Sequence, residues 1–288
     1  MPCYNDGKYI NEAVSSVRKQ TYPNIELIII NDGSDDIRTL KALRELQDEG
    51  VVVIESGNLG PAGARNLGIK HASGQYILPL DSDDTIEPTY IEKAVKIIEQ
   101  DETLGGVYCL ARYFGKRHGR WELPAYSLEA MLLDNVVFIT TIFRKSDWEK
   151  AGGFDESLIH GMEDYDFWLS MIEMGKHFYA IPEELFFYRI KKRSRTSRFL
   201  SNPENTNKTY EKIYSNHKEF FLQNHFTFAK VMRNVIIESS RRNYEFRRYI
   251  VIYRVIKKVH HVYRRIAGGI ARRIIKLFPK NSGKKAKL

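Results

Sequence analysis

The chain has 288 residues, 43% hydrophobic and 12% aromatic, enough to close a full core, while its two cysteines, Cys3 and Cys109, exclude a disulfide framework or a four-ligand zinc site and read as small apolar residues. Charged residues make up 28% and no apolar run reaches about 18 residues, so neither a membrane-spanning helix nor a signal segment is expected, and a soluble intracellular chain is the default reading. The net charge of +9 is unevenly spread: sixteen Lys/Arg and one acid, Glu245, fall within 241–288, which puts +15 there and −6 on the preceding 240 residues.

The first 115 residues alternate β-rich runs with helical patterns, the signature of βαβ units around a largely parallel sheet. Strands are predicted at Ile25–Asn31, Val51–Glu55, Tyr76–Leu80 and Val107–Phe114. Helices are predicted at Ile10–Gln20, Thr39–Glu49, Pro61–His71 and Pro88–Gln100, the last two opening on a proline at the first helical position. The chain begins at Met1-Pro2-Cys3-Tyr4-Asn5, already a strand-to-helix turn. A first strand is therefore expected to be missing or truncated, with the natural start upstream.

In such a sheet, ligands bind beyond the carboxyl ends of the strands. The segments there are Asn31-Asp32-Gly33-Ser34, Asp81-Ser82-Asp83-Asp84 and a glycine-rich turn, Gly57 to Asn66, that enters a helix carrying Arg65. A helix N-terminus suits an anion, and a guanidinium suits a diphosphate. Further on come Ala151-Gly152-Gly153-Phe154-Asp155-Glu156, then Gly161-Met162-Glu163-Asp164-Tyr165-Asp166-Phe167-Trp168, and finally Tyr188-Arg189-Ile190-Lys191-Lys192-Arg193-Ser194.

Taken together, these motifs resemble those of the inverting family 2 glycosyltransferases with the GT-A fold, in the family's order, over roughly residues 2 to 198. The resemblance implies an α/β, Rossmann-like domain with a mostly parallel central sheet, and sugar transfer from a UDP- or dTDP-sugar to an acceptor hydroxyl. Pro2, Tyr4 and Asn5 match a P-x-Y-N turn that packs on the nucleotide base. Asp32 matches the aspartate that accepts the N3–H of uracil or thymine; a carboxylate there rejects cytosine, which offers an acceptor at that edge. Asp81 and Asp83 match the D-x-D pair, the first on the ribose side and the second on a divalent metal, Mg²⁺ or Mn²⁺, that bridges the diphosphate. Asn58 and Arg65 carry over as donor-binding residues. Asp164 matches the general base and Glu163 is the runner-up for that role, also placed against substrate. Lys191 stands where many members have a metal-ligating histidine, and a protonated lysine cannot ligate. Either Lys191 and Arg193 neutralise the leaving diphosphate directly, or metal dependence is weaker than usual. Trp121, Tyr126, Trp148 and Trp168 are weighed as sugar-stacking residues against a plain packing role.

The expected organisation is a transferase domain over 1–200, with a nucleotide-binding half at 1–105 and an acceptor half at 106–200. A linker and helical region covers 201–240, its Ser201–Asn216 stretch polar and Asn-rich, and a basic tail occupies 241–288. From Tyr249 to Phe278 apolar residues recur at helical spacing while Arg247, Arg254, Lys258, Arg265, Arg272 and Lys276 mark another face, so 244–278 is read as lying on an anionic membrane surface. This places the enzyme in the cytoplasm, peripheral at the inner face of the cell membrane, and suits a glycan or lipid-linked acceptor. Packing of the apolar face on the body or a partner is the second reading of the tail. Nucleic acid is not expected as a partner, because the body has no motif for it. Two other functions compete: a non-catalytic nucleotide-sugar-binding scaffold, and a sugar nucleotidyltransferase, whose opening G-x-G-x-R-L loop is not found here.

Overall fold

The structure is a computed structural model that describes residues 1–192 and 194–242. Residues 1–228 form one compact unit and a second begins at Ala229. The helix predicted across 244–278, and Arg193, lie outside the described residues. Among the described residues no helix is long and apolar enough to cross a membrane.

The first half is a parallel sheet of β1 (Pro2–Cys3), β2 (Ile28–Asp32) and β3 (Val52–Ser56), in that order. All of β2 is buried, because helices cover both its faces. Ile29 packs in a cluster with Ile10 and Val14 of α1 (Ile10–Arg18) and with Leu43 and Leu46 of α2 (Ile37–Asp48), whereas Ile28 and Ile30 pack with Ala64 of α3 (Gly60–His71). Alternation along the strand sends neighbours to opposite faces. Asp36 caps α2, accepting from the Thr39 amide at 3.1 Å and its hydroxyl at 2.9 Å.

Of the two expected alternatives, a first strand missing or truncated, the structure shows a short strand, β1, of two residues. Pro2 and Cys3 pair with Ile30 and Asn31, and the Met1 amine donates to the Ile28 carbonyl at 2.8 Å. Beyond Met1 an apolar cleft of about 360 Å³ runs between Leu27–Ile28 and the segment from β4 (Tyr76–Ile77) to Leu80, with Ala64, Gly68 and Ile69 of α3 against it. Both cysteines are buried.

The second half is built on β6 (Leu104–Gly115) and β9 (His177–Ile190), paired in parallel from Leu104↔His177 to Gly115↔Ile190. β5 (Thr85–Ile86) and β7 (Gly119–Trp121) add antiparallel edges, giving the order β5-β9-β6-β7. The register slips where Cys109 pairs with Ile181 but Leu110 pairs with Glu184. Pro182 lies in the slipped stretch, and a proline without an N–H cannot join the ladder there. β8 (Phe143–Arg144) pairs antiparallel with β4. α4 (Tyr90–Ile98) opens two residues after Pro88, which is therefore not its first helical residue, whereas Pro61 does lie in the first turn of α3. Tyr90, Ile91, Ala94, Val95 and Ile98 line its buried face.

α5 (Leu128–Leu133), α6 (Lys145–Ala151) and α7 (Glu163–Glu173) close the core. α7 is buried nearly all round: Phe167 meets Phe154 with ring centroids 4.7 Å apart, and the Trp168 indole donates to the Val137 carbonyl at 2.8 Å. Within the region expected to hold a linker and helices, the chain is already helical from Pro203. After α8 (Arg195–Leu200), Asn202 caps α9 (Pro203–Asn216), which buries Thr209 and Ile213, and α10 (Lys218–Gln223) follows. His217, buried between α9 and α10, faces Asp166 at 3.2 Å and Glu173 at 2.9 Å on α7, and Asn216 donates to Asp166 at 2.8 Å. These helices belong to the same compact unit as the sheets, which extends past residue 200.

Candidate active site

The loops after β1, β2 and β3 meet as the strand-end rule predicts. Asn5, in a left-handed conformation (φ 57°), accepts from the amides of Asp35 and Asp36 at 3.0 Å and donates to the Asp35 carboxylate at 2.7 Å. Asp32 is 4% exposed and organises the neighbouring loop: it accepts from the Ser56 hydroxyl (2.8 Å), the Leu59 amide (2.6 Å) and the Gly60 amide (2.9 Å). Three of its roughly four acceptor positions are thereby used. Gly33 has φ +74°, and a Cβ there would lie 3.0 Å from the Asn58 amide nitrogen, so only glycine fits. Asn58 is exposed with φ 58°, Tyr4 is half exposed and Pro2 is half-buried in β1.

The Asp81-Ser82-Asp83-Asp84 segment is held from two sides. Arg189 on β9 donates its amide to the Asp84 carboxylate and its Nε to the Asp83 carbonyl, both at 2.7 Å. The Ser82 hydroxyl donates to Asp6 at 3.2 Å. Lys191 Nζ lies 2.8 Å from Asp83 Oδ2 and 2.9 Å from Asp6 Oδ1. Burial opposes the Lys191 charge, yet Asp83 and Asp6 raise its pKa above the ordinary lysine value. Burial also raises Asp83, against the pull of Lys191, and burial together with the Asp83 charge raises Asp84 well above the usual carboxylate range. Among the described residues no three His, Cys, Asp or Glu side chains are grouped to hold a metal ion. With an ammonium already on Asp83 and a guanidinium on Asp81, the residues present do not fit the Mg²⁺ or Mn²⁺ expected at Asp83.

Arg65 joins the two halves. It is 6% exposed, and its guanidinium reaches Asp81 at 2.7 Å and Glu163, at the start of α7, at 2.5 Å. Arg195 forks onto the same Glu163 at 2.8 and 2.9 Å. Burial would raise Glu163, but Arg195 and Arg65 outweigh it and hold the carboxyl at about 2. Its neighbour behaves oppositely. Loss of water and the Glu163 charge push Asp164 up to about 7, while its carboxylate accepts from the Tyr165 amide at 2.9 Å. Two adjacent carboxylates with such different proton affinities differ in what they can do: Asp164 can accept a proton near neutrality and Glu163 cannot.

The Gly-Gly-Phe-Asp-Glu loop is stapled to α3 by Asn66, which donates to the Phe154 carbonyl and to Glu156 at 2.9 Å and accepts from the Phe154 amide at 3.0 Å. Gly153 (φ +82°) faces this staple: a Cβ there would lie 3.0 Å from Asn66 Oδ1 and 3.2 Å from the Trp148 ring. Trp148 and Trp168 are core residues. Trp121 stacks on Tyr113 and Phe138, and Tyr126 meets Phe178 edge-on. The structure thus brings Arg65, Asp81, Asp83, Glu163, Asp164 and Lys191 into two linked clusters, with Pro2, Tyr4, Asp32 and Asn58 in the neighbouring loops. Sequence reasoning missed Asp6, Arg189 and Arg195 as members. Asp6 follows the P-x-Y-N turn directly and Arg189 lies two residues before Lys191, so both stood beside residues that the motifs had already singled out.

Solved structures share this architecture. The S. aureus TarS 1–349 complex with UDP-GlcNAc superposes with a TM-score of 0.63 at 20% identity, covering 75% of this chain and 64% of that one. A mannosyltransferase from Pyrobaculum calidifontis, in complex with GDP-Man and Mn²⁺, superposes at 0.57 and 19% identity, over 83% and 73%. The fold is therefore that of the GT-A glycosyltransferases, a class in which divalent metals are common. Residues 1–157 match Glycosyl transferase family 2, and the chain belongs to that family. An uncharacterized glycosyltransferase of Haemophilus influenzae is 31% identical over 251 residues, 81% of this chain and 76% of that protein. The chondroitin synthase of Pasteurella multocida is 32% identical over 182 residues, 61% of this chain. The chain spans only about a fifth of the length of that synthase and of the Pasteurella hyaluronan synthase.

Proposed function

We propose that the chain transfers a sugar from a nucleotide-diphosphate sugar, UDP- or dTDP-linked, to an acceptor hydroxyl with inversion, in the synthesis of a cell-surface polysaccharide or glycolipid. The observation that carries this reading is the Arg65 bridge: one buried guanidinium ties Asp81, on the donor-side loops, to Glu163 beside Asp164. Donor phosphates and acceptor hydroxyl are then served by one connected site. The names of the Pasteurella synthases and the UDP-GlcNAc bound to TarS support the polymer and the donor class.

Asp164 takes the proton of the acceptor hydroxyl as that oxygen attacks the anomeric carbon. The new C–O bond forms on the face opposite the breaking bond to the diphosphate, which leaves with the electron pair. Such a base contributes about 10²–10⁴-fold. Glu163, paired with Arg65 and Arg195, positions the start of α7. Tyr4 lies against the base, Asp32 and Asn58 shape the loop that receives it, and Pro2 sets the turn. The basic tail is proposed to hold the enzyme at the inner face of the membrane, near a lipid-linked acceptor, and the full chain should float with anionic but not with neutral vesicles.

The test is a panel of UDP-, dTDP- and GDP-sugars assayed for release of nucleoside diphosphate, with the anomeric proton of any product followed by NMR. Release from UDP- or dTDP-sugars with inverted product is expected. A preference for GDP-sugars contradicts the UDP- or dTDP-linked donor, and a retained configuration contradicts the single displacement.

A further inference from the structure

We propose that the Lys191 ammonium is itself the cation of the donor diphosphate site, so that nucleotide binding by this protein is metal-independent. The inference rests on the nucleotide-sugar reading and goes beyond it in naming what neutralises the diphosphate.

Three features carry it. Lys191 Nζ sits between carboxylates from two different loops, Asp83 at 2.8 Å and Asp6 at 2.9 Å. An ammonium has three N–H donors; two are spent on these oxygens and one is left. Its side chain is 25% exposed, with the Tyr9 ring centroid 5.6 Å from the ammonium, so an incoming phosphate oxygen can reach the charge. The cluster is also fixed before any ligand arrives. Arg189, two residues earlier on β9, holds Asp83 and Asp84 through its Nε and amide, and its guanidinium reaches Glu12 at 2.5 Å. Ser82 holds the other oxygen of Asp6. Lys191, the residue that follows the end of β9 at Ile190, is therefore held against a cluster that is already fixed.

The same geometry works against a divalent ion. Mg²⁺ needs oxygen ligands at about 2.0–2.1 Å and gives up its waters reluctantly, whereas here the Asp83 oxygen is spent on an N–H donor that has no lone pair to offer. Asp81 is likewise engaged, by the buried Arg65 at 2.7 Å. A dication between these carboxylates would have to displace an ammonium and sit beside a guanidinium, both fully charged.

The experiment is calorimetric titration of the full chain with UDP, dTDP and GDP, once in EDTA and once in excess MnCl₂, with free Mn²⁺ followed by electron paramagnetic resonance. Wild-type protein should bind one of these nucleotides with the same affinity in both buffers, within about twofold, and should take up no Mn²⁺. Lys191→Met should lose about tenfold or more in EDTA, the scale of a lost hydrogen bond between charged groups. Mn²⁺ should restore part of that loss, because Asp6 and Asp83 are then free. Lys191→Arg should retain binding in EDTA, and equal melting temperatures will show that both variants are folded. Loss of wild-type binding in EDTA with recovery in Mn²⁺, or full binding by Lys191→Met in EDTA, overturns the proposal while leaving the donor reading intact. Absence of binding by all three nucleotides in both buffers overturns the donor reading and this inference with it.

Discussion

Replacing Glu163 by Gln tests how the base acquires its proton affinity. Asp164 stands at about 7 against an ordinary value of 3.8, with burial the larger cause and the Glu163 charge the second. Since burial remains in the variant, removing the Glu163 charge should recover part of that rise, each unit of which is worth about 1.4 kcal/mol. Arg65 and Arg195, both bonded to Glu163, lose their counter-charge and push Asp164 further in the same direction. In wild type, log(kcat/KM) for nucleoside diphosphate release should rise with pH through about 7 as Asp164 ionises. In Glu163→Gln that limb should move toward acid, and the plateau should fall because a less basic carboxylate is a poorer base. Breaking a buried ion pair also costs about 3–5 kcal/mol of stability, so the profiles are taken well below the melting temperature of the variant. A limb that stays in place, or moves toward alkali, would refute the claim that the Glu163 charge sets Asp164.

Other outcomes follow from the same geometry. Gly153→Ala places a Cβ against Asn66 and Trp148, whereas Gly152, with a similar φ of +85°, has nothing within 4 Å. Both should pay about 1–2 kcal/mol for the left-handed backbone, but Gly153→Ala should melt lower by calorimetry; equal losses would remove the contact argument. His217 has a raised pKa: burial opposes its charge, but Asp166 and Glu173 outweigh it. A histidine raised in the folded state stabilises fully below its unfolded value of 6.5 and loses that contribution as pH climbs through the folded one. The melting-temperature gap between wild type and His217→Ala should therefore be widest under mildly acidic conditions and shrink with rising pH. A gap that widens toward alkali would contradict the ion pairing of α7 with the α9–α10 junction.

How much of this was readable in advance varied with the physics involved. The elements around β2 were legible because Ile28–Ile30 is a strand buried on both faces and its helices show clean apolar stripes. The carboxylates Asp81, Asp83, Glu163 and Asp164 were legible because they stand in short motifs after strands or before a helix. Position in the chain did not reveal partners. That Arg65 would bridge Asp81 to Glu163, 98 residues away, depends on how two halves fold together. Asp32 was expected to face the base, yet spends most of its oxygens on the Ser56–Gly60 loop, a use that sequence spacing alone cannot distinguish. α9 was masked by its asparagines: low helix propensity and one buried pair, Thr209 and Ile213, gave a weak pattern, while Asn202 and Pro203 were correct start signals. The long β6–β9 pairing was hidden because register between strands some seventy residues apart is set by tertiary packing.

Asp164→Asn removes the carboxylate proposed to be the base of the glycosyl transfer. Nucleotide binding by calorimetry and sugar transfer are measured side by side on the full chain, with the donor that the panel identifies. Binding should be unchanged and transfer reduced by about 10²–10⁴-fold. Transfer within a few-fold of wild type by a variant that binds donor normally would contradict it.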